Sequence, residues 1–419
     1  MDHRYDVVVV GGGMVGVCTA IALLRAGADV VLVDRRAPGR ETSFGNAGVI
    51  QPEGVHPYMF PRSVTKLIGY ALNRRVEAHY QPSSLAHVAP FLWRYFRSSR
   101  PDRARRTYEA NITLFDGCVG AHGALAEEAG AAHLLTKKGL LRVLRSEAAL
   151  RALEGELADL RGLGMTVSTP DAKALSELEP HLNTDALAGA VHYEEPWTCQ
   201  DPGALVSAYA ALLESLGGRI VQAEVEGLSG AAGGWRAALR DAPDLVADRA
   251  VLAAGPWSKA LLEGLGLRLP MGIKRGYHRH HAPVGNAFLT RAVIDDANGY
   301  VMAPMRRGIR LTSGAEFARH GAPPTPVQLE RAMPRARELF ALGEAVDEAP
   351  WLGARPVFPD MRPVMDEAPG LSGLWLNFGH GHQGFTLGPV AGDHLARMML
   401  GQGGRFDPAP FRAERFAAG

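Results

Sequence analysis

Three glycines near the amino end and two histidines near the carboxyl end are the residues whose spacing first suggests chemistry. Gly11, Gly13 and Gly16 complete a GxGxxG run directly after the apolar stretch "YDVVVV". In such a run the first glycine permits a sharp turn, the second lets backbone approach a pyrophosphate, and the third lets a helix pack close to a strand. The helix that opens at Met14 and Val15 then presents free N–H groups and partial positive charge to phosphate. Asp34 ends the next apolar run, "ADVVLVD", about 20 residues on, where a carboxylate can accept hydrogen bonds from a ribose 2′-hydroxyl. At the other end stands "NFGHGHQGFT", Asn377 to Thr386. His380 and His382 could be nitrogen ligands of a metal. Neither an HExxH motif nor a carboxylate cluster lies beside them, so the preferred reading is a glycine-rich turn lying flat against something large, and no metal is expected.

The elements that must position these residues are legible around them. Val7 to Val10 are four β-branched residues in succession, which suits a parallel strand buried on both faces. Met14 to Leu24 are small or apolar without proline, which suits a packed helix. Downstream, "VADRAVLAAGPWSKALLEGLG" reads as another buried strand, whose end at Ala253, Ala254 and Gly255 lets backbone approach the dinucleotide from a second side. The turn Asn377–Thr386 lies between strand-like "GLWL" and helix-like "AGDHLARMMLG". The fold class expected is therefore α/β. At 419 residues two domains, or one with a large insertion, are expected.

Composition narrows the function classes. A formal charge of +1 with 47% hydrophobic residues argues against a disordered chain and against a protein built to hold polyanions, so nucleic acid is not an expected partner. Cys18, Cys118 and Cys199 form no CxxC pair, which points away from a disulfide framework or a zinc site and towards a reducing, cytoplasmic compartment. The amino terminus starts a strand almost at once without the features of a signal peptide, and no run is apolar and long enough to cross a bilayer.

After Asp34 and Arg35 the chain departs from a plain NAD-binding unit. The segment "RAPGRETSFGNAGVIQPEG" is long, polar and glycine-rich. Thr42 and Ser43 could donate hydroxyls to phosphate, and Asn46, Ala47 and Gly48 could carry the chain past a flat ring. The pieces "VVVVGGGMVG", "LVDRR", "ETSFGNAG", "VLAAGPWS", "GARPVFPDMRPVM" and "LWLNFGHGHQGFTLGP" occur in the order seen in the D-amino acid oxidase superfamily of flavoproteins, and most resemble its D-amino acid dehydrogenase branch. The resemblance spans nearly the whole chain and is weak between about Gln51 and Asp185. It implies tightly bound FAD on a Rossmann-like domain, residues 1–55, 190–268 and 350–419, with a mixed-sheet α+β substrate domain formed by residues 56–189 and 269–349. It also implies that Gly381, His382, Gln383, Gly384, Phe385 and Thr386 run beneath the flavin. Their exposed N–H groups would stabilise negative charge at the N1 and C2 carbonyl edge. With no cysteine after Cys199, FAD is expected to be non-covalent.

At the substrate end, Gly353, Arg355 and Pro356 match a GxRP pattern whose arginine, in the family, pairs with the substrate carboxylate. A planar guanidinium suits that role through two parallel hydrogen bonds. The resemblance also places Tyr300, Tyr277 and His278 near the substrate, a core-holding tyrosine being the competing view. The implied activity is FAD-dependent oxidative deamination of a small D-amino acid, or of a cyclic imino acid such as D-proline or hydroxy-D-proline. Hydride would pass from Cα to flavin N5, and the imine would hydrolyse to a 2-oxo acid. The alternatives are a glycine or sarcosine-type amine oxidase and, from another class, a non-catalytic flavin-binding protein. The electron acceptor would be a quinone, an electron-transfer protein or O2. The aromatic and arginine-rich stretch from Tyr58 to Arg106 suits either packing on its own domain or peripheral contact with the inner face of a membrane.

Overall fold

The computed structural model describes residues 3–416. The valine run forms the strand Arg4–Val10, with Val7 to Val10 all buried, at the heart of a sheet of eight strands. Five of them run parallel in the order Arg219–Gln222, Val30–Asp34, Arg4–Val10, Leu245–Leu252 and Leu374–Phe378. Strands buried on both faces must be covered by helices. The first helix, Met14–Arg25, and the last, Gly384–Met399, lie together on one face. Their close crossing depends on small residues. A Cβ on Gly388 would stand 2.5 Å from Met14 Cγ, and one on Gly392 would stand 2.7 Å from the backbone of Cys18. The strand Leu245–Leu252 is shared: its first half pairs antiparallel with Gly234–Leu239, and its second half pairs parallel with Leu374–Phe378. This is the expected α/β, Rossmann-like unit.

A second, mixed sheet of eleven strands is built around the long strand Gly272–Pro283, which pairs with Trp351–Val357, Gly308–Thr312 and Ala315–Phe317. Two strands depart from the expected division of the chain. Gly189–Tyr193 and Trp351–Val357, read from sequence with the first domain, are both members of this second sheet. The cause is hydrogen bonding: Gly272–His278 pairs residue for residue with Val357–Trp351.

Alternation divides the long strand into two faces. Arg275 and Tyr277 point to the side covered by the helix Val327–Leu339, where Tyr277, Tyr300, Leu311, Leu329 and Phe340 share one apolar cluster. Lys274, Gly276 and His278 point the other way, towards the first sheet and the loop after Val30–Asp34. Among the described residues no helix is long and apolar enough to cross a membrane.

Candidate active site

A cavity of about 800 Å³ is lined by residues of both sheets, near the top of the roughly 300–1,000 Å³ usual for ligand sites. Its first end is made of backbone. Gly11 has φ +121°, and a Cβ there would fall 2.4 Å from Ala253 O, so only glycine turns the chain here. A Cβ on Gly16 would lie 1.9 Å from Gly11 O; this residue permits helix packing and does not line the cavity. Gly13 caps the first helix from the cavity wall, and its Cβ would meet nothing nearer than Ser43 Oγ at 3.4 Å. Ala254 and Gly255 close the wall from the second strand end. Asp34 accepts from the N–H groups of Gly12 at 2.6 Å and Arg36 at 3.0 Å, and burial raises its carboxyl against those bonds. Arg35 stacks over Trp257 at 4.2 Å.

Two helices aim uncapped amino termini at this cavity. Neither Gly13 nor Gln383 supplies a side-chain cap. Orphan N–H groups facing a cavity fit a phosphate at one helix and an electron-rich ring edge at the other. Met14, Val15, Gly381, His382, Gly384 and Phe385 line the wall, while Gln383 and Thr386 lie behind it. Thr386 accepts from Gln51 N at 3.2 Å and donates to Val49 O at 3.3 Å, locking the turn to the loop. Burial pushes His380 and His382 down to about 3, so both rings are neutral. Among the described residues no three His, Cys, Asp or Glu side chains group as a metal would require.

The loop after Asp34 reaches the cavity at Thr42, Ser43, Asn46 and Ala47. Ser43 Oγ accepts from Met14 N at 3.0 Å and keeps its own proton free. Thr42 does not, for its hydroxyl donates to Ala354 O at 3.0 Å; the expected phosphate donor is a tie between the loop and the strand Trp351–Val357. Gly48, at φ +73°, passes against Cys199 O and is not part of the wall. Arg310, missed from sequence, donates to the carbonyls of Phe44, at 2.9 Å, and Asn46 and so holds this loop from beneath. The only sequence signal for it is alternation in "GIRLTSG".

At the other end Arg355 and Lys274 line the wall from paired positions on adjacent strands. Arg355 reaches across Gly276, where any side chain would meet its guanidinium at 2.5 Å. Lys274 Nζ donates to Tyr95 Oη at 3.1 Å and lies 4.3 Å over that ring. Tyr58, Phe60, Leu92 and Phe317 complete this end.

Three expectations change. Tyr277 and Tyr300 border the cavity, but their rings lie in the cluster on the far face. The Tyr277 hydroxyl donates to Glu316 at 2.8 Å and accepts from Arg275 and Thr325 N; that of Tyr300 donates to Arg335 O at 3.3 Å. Strand alternation places both hydroxyls on the far face of the sheet. His278 is on the cavity face but one layer back, stacked on Trp351 at 5.0 Å and beside Phe44. Burial and nearby Arg310 hold it down to about 2, so it is a neutral prop for the loop.

Residues 6–398 match the family described as FAD dependent oxidoreductase. The chain is 30% identical to a D-amino-acid oxidase of Bradyrhizobium diazoefficiens, covering 99% of this chain and 100% of that protein. It is 32% identical to a D-amino acid dehydrogenase of Paramagnetospirillum magneticum, covering 94% and 95%. Among solved structures, glycine oxidase from Geobacillus kaustophilus superposes with a TM-score of 0.74 at 24% identity over 99% of both chains, and L-proline dehydrogenase from P. horikoshii with 0.74 at 16% over 100% and 99%. These two likenesses concern the fold.

Proposed function

Because this chain belongs to the FAD dependent oxidoreductase family, we propose that it oxidises a small D-amino acid to its imine, which water converts to a 2-oxo acid. FAD, when bound, accepts the hydride that leaves Cα. The remaining work belongs to the chain. Gly13 and Val15 would offer backbone N–H groups, and Ser43 its hydroxyl, to the pyrophosphate, Gly11 would keep the turn tight, and Asp34 would take the ribose. The last helix turns its amino terminus towards the edge of the ring that gains charge. Arg355 fixes the substrate carboxylate, and Gly276 keeps room for it.

The observation that carries this reading is Arg355 itself. Its guanidinium borders the cavity half-buried, burial lowers it, and no carboxylate among the described residues pairs with it. A half-buried cation without a partner, facing a cavity, calls for an anionic ligand. The aromatic wall of Tyr58, Phe60, Tyr95 and Phe317 favours a compact apolar or cyclic side chain, such as that of D-proline. All three cysteines are buried, with thiols pushed well up, and none lines the cavity, which supports FAD held without a covalent bond. The first sheet with its helices would be the FAD domain and the mixed sheet the substrate cover.

A panel of amines added anaerobically to the purified holoprotein tests the reading. Bleaching of flavin absorbance by small D-amino acids, with little effect of their L forms, glycine or sarcosine, is the expected result. Faster bleaching by glycine or sarcosine would reassign the substrate, and none by any amine would leave a flavin-binding protein.

The electron acceptor is proposed to be reached from a membrane surface. The helix Val64–Ala71 buries none of its residues, Val64, Ile68 and Leu72 project at 69%, 55% and 54% exposure, and Trp93 is exposed as well. From Tyr58 to Arg100 seven basic residues face a single acidic one, Glu77. An apolar stripe with a basic rim suits an anionic bilayer. Co-sedimentation with vesicles containing phosphatidylglycerol, and not with phosphatidylcholine alone, is expected; Ile68→Glu should abolish it.

A further inference from the structure

The carboxylate anchor leaves a chemical problem. Amino acids arrive as zwitterions, and hydride can leave Cα only when the nitrogen has its lone pair. Something must take the ammonium proton.

Lys274 is placed to do so. It lies beside Arg355 in the register of adjacent strands, and both line the same end of the cavity. The elements packed against it bring Tyr95 and Phe317, Met361, Arg355 and, from the carboxyl-terminal turn, His382. None of these is an anion. Two cations sharing a buried wall without a carboxylate repel, and arginine does not give up its proton in proteins. The lysine is therefore the group that adjusts.

Hydrogen bonding points the same way. The Tyr95 hydroxyl donates to the carbonyl of Tyr58, so it can only accept from Lys274. A second contact, at 3.5 Å, is with the Met361 sulfur, a weak acceptor. A neutral amine has two N–H groups and one lone pair. The two N–H groups are taken by Tyr95 and Met361, and the lone pair has no donor among the described residues.

We propose that Lys274 is the proton acceptor for the bound substrate, taking one proton from its ammonium onto Nζ as the carboxylate settles on Arg355. The substrate becomes a neutral amine, Lys274 becomes an ammonium, and the incoming carboxylate compensates the charge that Arg355 and Lys274 now share. Hydride then departs, and the Lys274 proton returns to water when product leaves. Burial and the neighbouring guanidinium bring Lys274 down to about 7, which suits a base working near neutrality. His382 is neutral throughout this range and Tyr95 is pushed well above it, so neither competes.

This inference rests on amine oxidation as the activity, and its test separates the two. Stopped-flow reduction of the holoprotein by the best D-amino acid is followed from pH 6 to 10.5, in wild type and Lys274→Met. In wild type the second-order rate should rise through about pH 7. In Lys274→Met it should rise only near the substrate amine's own, higher midpoint: roughly a hundredfold loss two pH units below that midpoint, where ~1% of an amine is free base, closing to about threefold at pH 10.5. Lys274→Arg should behave like Lys274→Met at neutral pH. A second readout needs no turnover. Benzoate, a carboxylate without an amine, should bind wild type more tightly as pH falls from 8.5 to 6, seen in the flavin spectrum, and Lys274→Met with no such dependence. An equal loss at every pH, or one confined to dicarboxylic substrates, would overturn the assignment. The latter would place Lys274 on a second carboxylate. If no amine reduces the wild type, the activity reading falls with it; if wild type is reduced and the variant keeps its pH profile, only Lys274 is misassigned.

Discussion

The two ends of the cavity are built on different principles. At the nucleotide end the wall is main chain, drawn from Gly11–Val15, the loop near Ser43 and the strand end at Ala254 and Gly255. The recognition proposed there uses N–H groups at helix starts, joined by the Ser43 hydroxyl and the Asp34 carboxylate. At the opposite end the wall is side chain, brought by Arg355, Lys274, Tyr95 and Phe317 from four elements far apart in sequence. A backbone site depends on how closely its main chain can be approached, whereas a side-chain site depends on which face each strand presents. Substitutions at the first end should thus remove cofactor, and those at the second should remove turnover while cofactor stays.

The sharpest test of that contrast is Gly13→Val. The new methyls would project from the helix start into the cavity, so we expect loss of bound FAD of at least tenfold in occupancy, with circular dichroism of the folded chain retained. Full occupancy would remove the distinction at its root. Arg355→Met comes next. Loss of a charge-assisted pair with a buried carboxylate costs about 3 kcal/mol or more, so kcat/KM should fall at least about a hundredfold with the flavin spectrum unchanged. An amine lacking a carboxylate should lose little, and equal losses for both would make Arg355 a fold residue.

Tyr277 and Tyr300 probe the boundary between wall and core. Tyr300→Phe removes the hydroxyl that donates to Arg335 O and lies beside Asp295 and Arg145, and should cost about 1 kcal/mol of stability while kcat/KM changes less than threefold. Tyr277→Phe removes the hydroxyl that links Arg275, Glu316 and Thr325, and a drop in melting temperature with catalysis preserved is again expected. A large catalytic loss in either would mean that the far face of the sheet reaches the substrate.

A pH-dependent effect on stability concerns Glu53, bonded to Gln51 and near Arg142 of the mixed sheet. Burial pushes its carboxyl up to about 7, and one oxygen lacks a partner. A carboxyl raised by folding binds its proton more tightly in the native state, so its contribution is greatest at low pH and is lost as pH rises from the unfolded value, about 4.3, towards 7. Glu53→Gln should therefore raise the melting temperature by a few degrees at pH 8 and leave it nearly unchanged at pH 4.5, as read by calorimetry.

The same contrast explains what could be read in advance. Gly11, Gly13, Gly16 and Asp34 carry their geometry in local spacing, because a strand, a turn and a helix follow one another without a break. The loop near Ser43 was legible as a partner of that unit, yet Thr42 and Ser43 look equivalent in sequence. Only the strand Trp351–Val357 distinguishes them, by taking the Thr42 hydroxyl. Tyr277 and His278 are neighbours in "RGYH", and no local pattern states which of them faces inward. Lys274 stands in the same run and carried no signal of its own.

By itself, then, the order of residues determined the strand–turn–helix unit at the amino end and the glycine turn before the last helix, since each is a short stretch whose backbone conformation follows from composition; the arginine of the GxRP run was singled out by the family resemblance alone. Tertiary structure decided which side of the mixed sheet is the wall. A shift of one residue in a strand exchanges its two faces, and here the choice was made by the pairing of Gly272–His278 with Val357–Trp351 and by the apolar cluster under the helix Val327–Leu339. That pairing set Lys274 beside Arg355 and turned Tyr277 into the core.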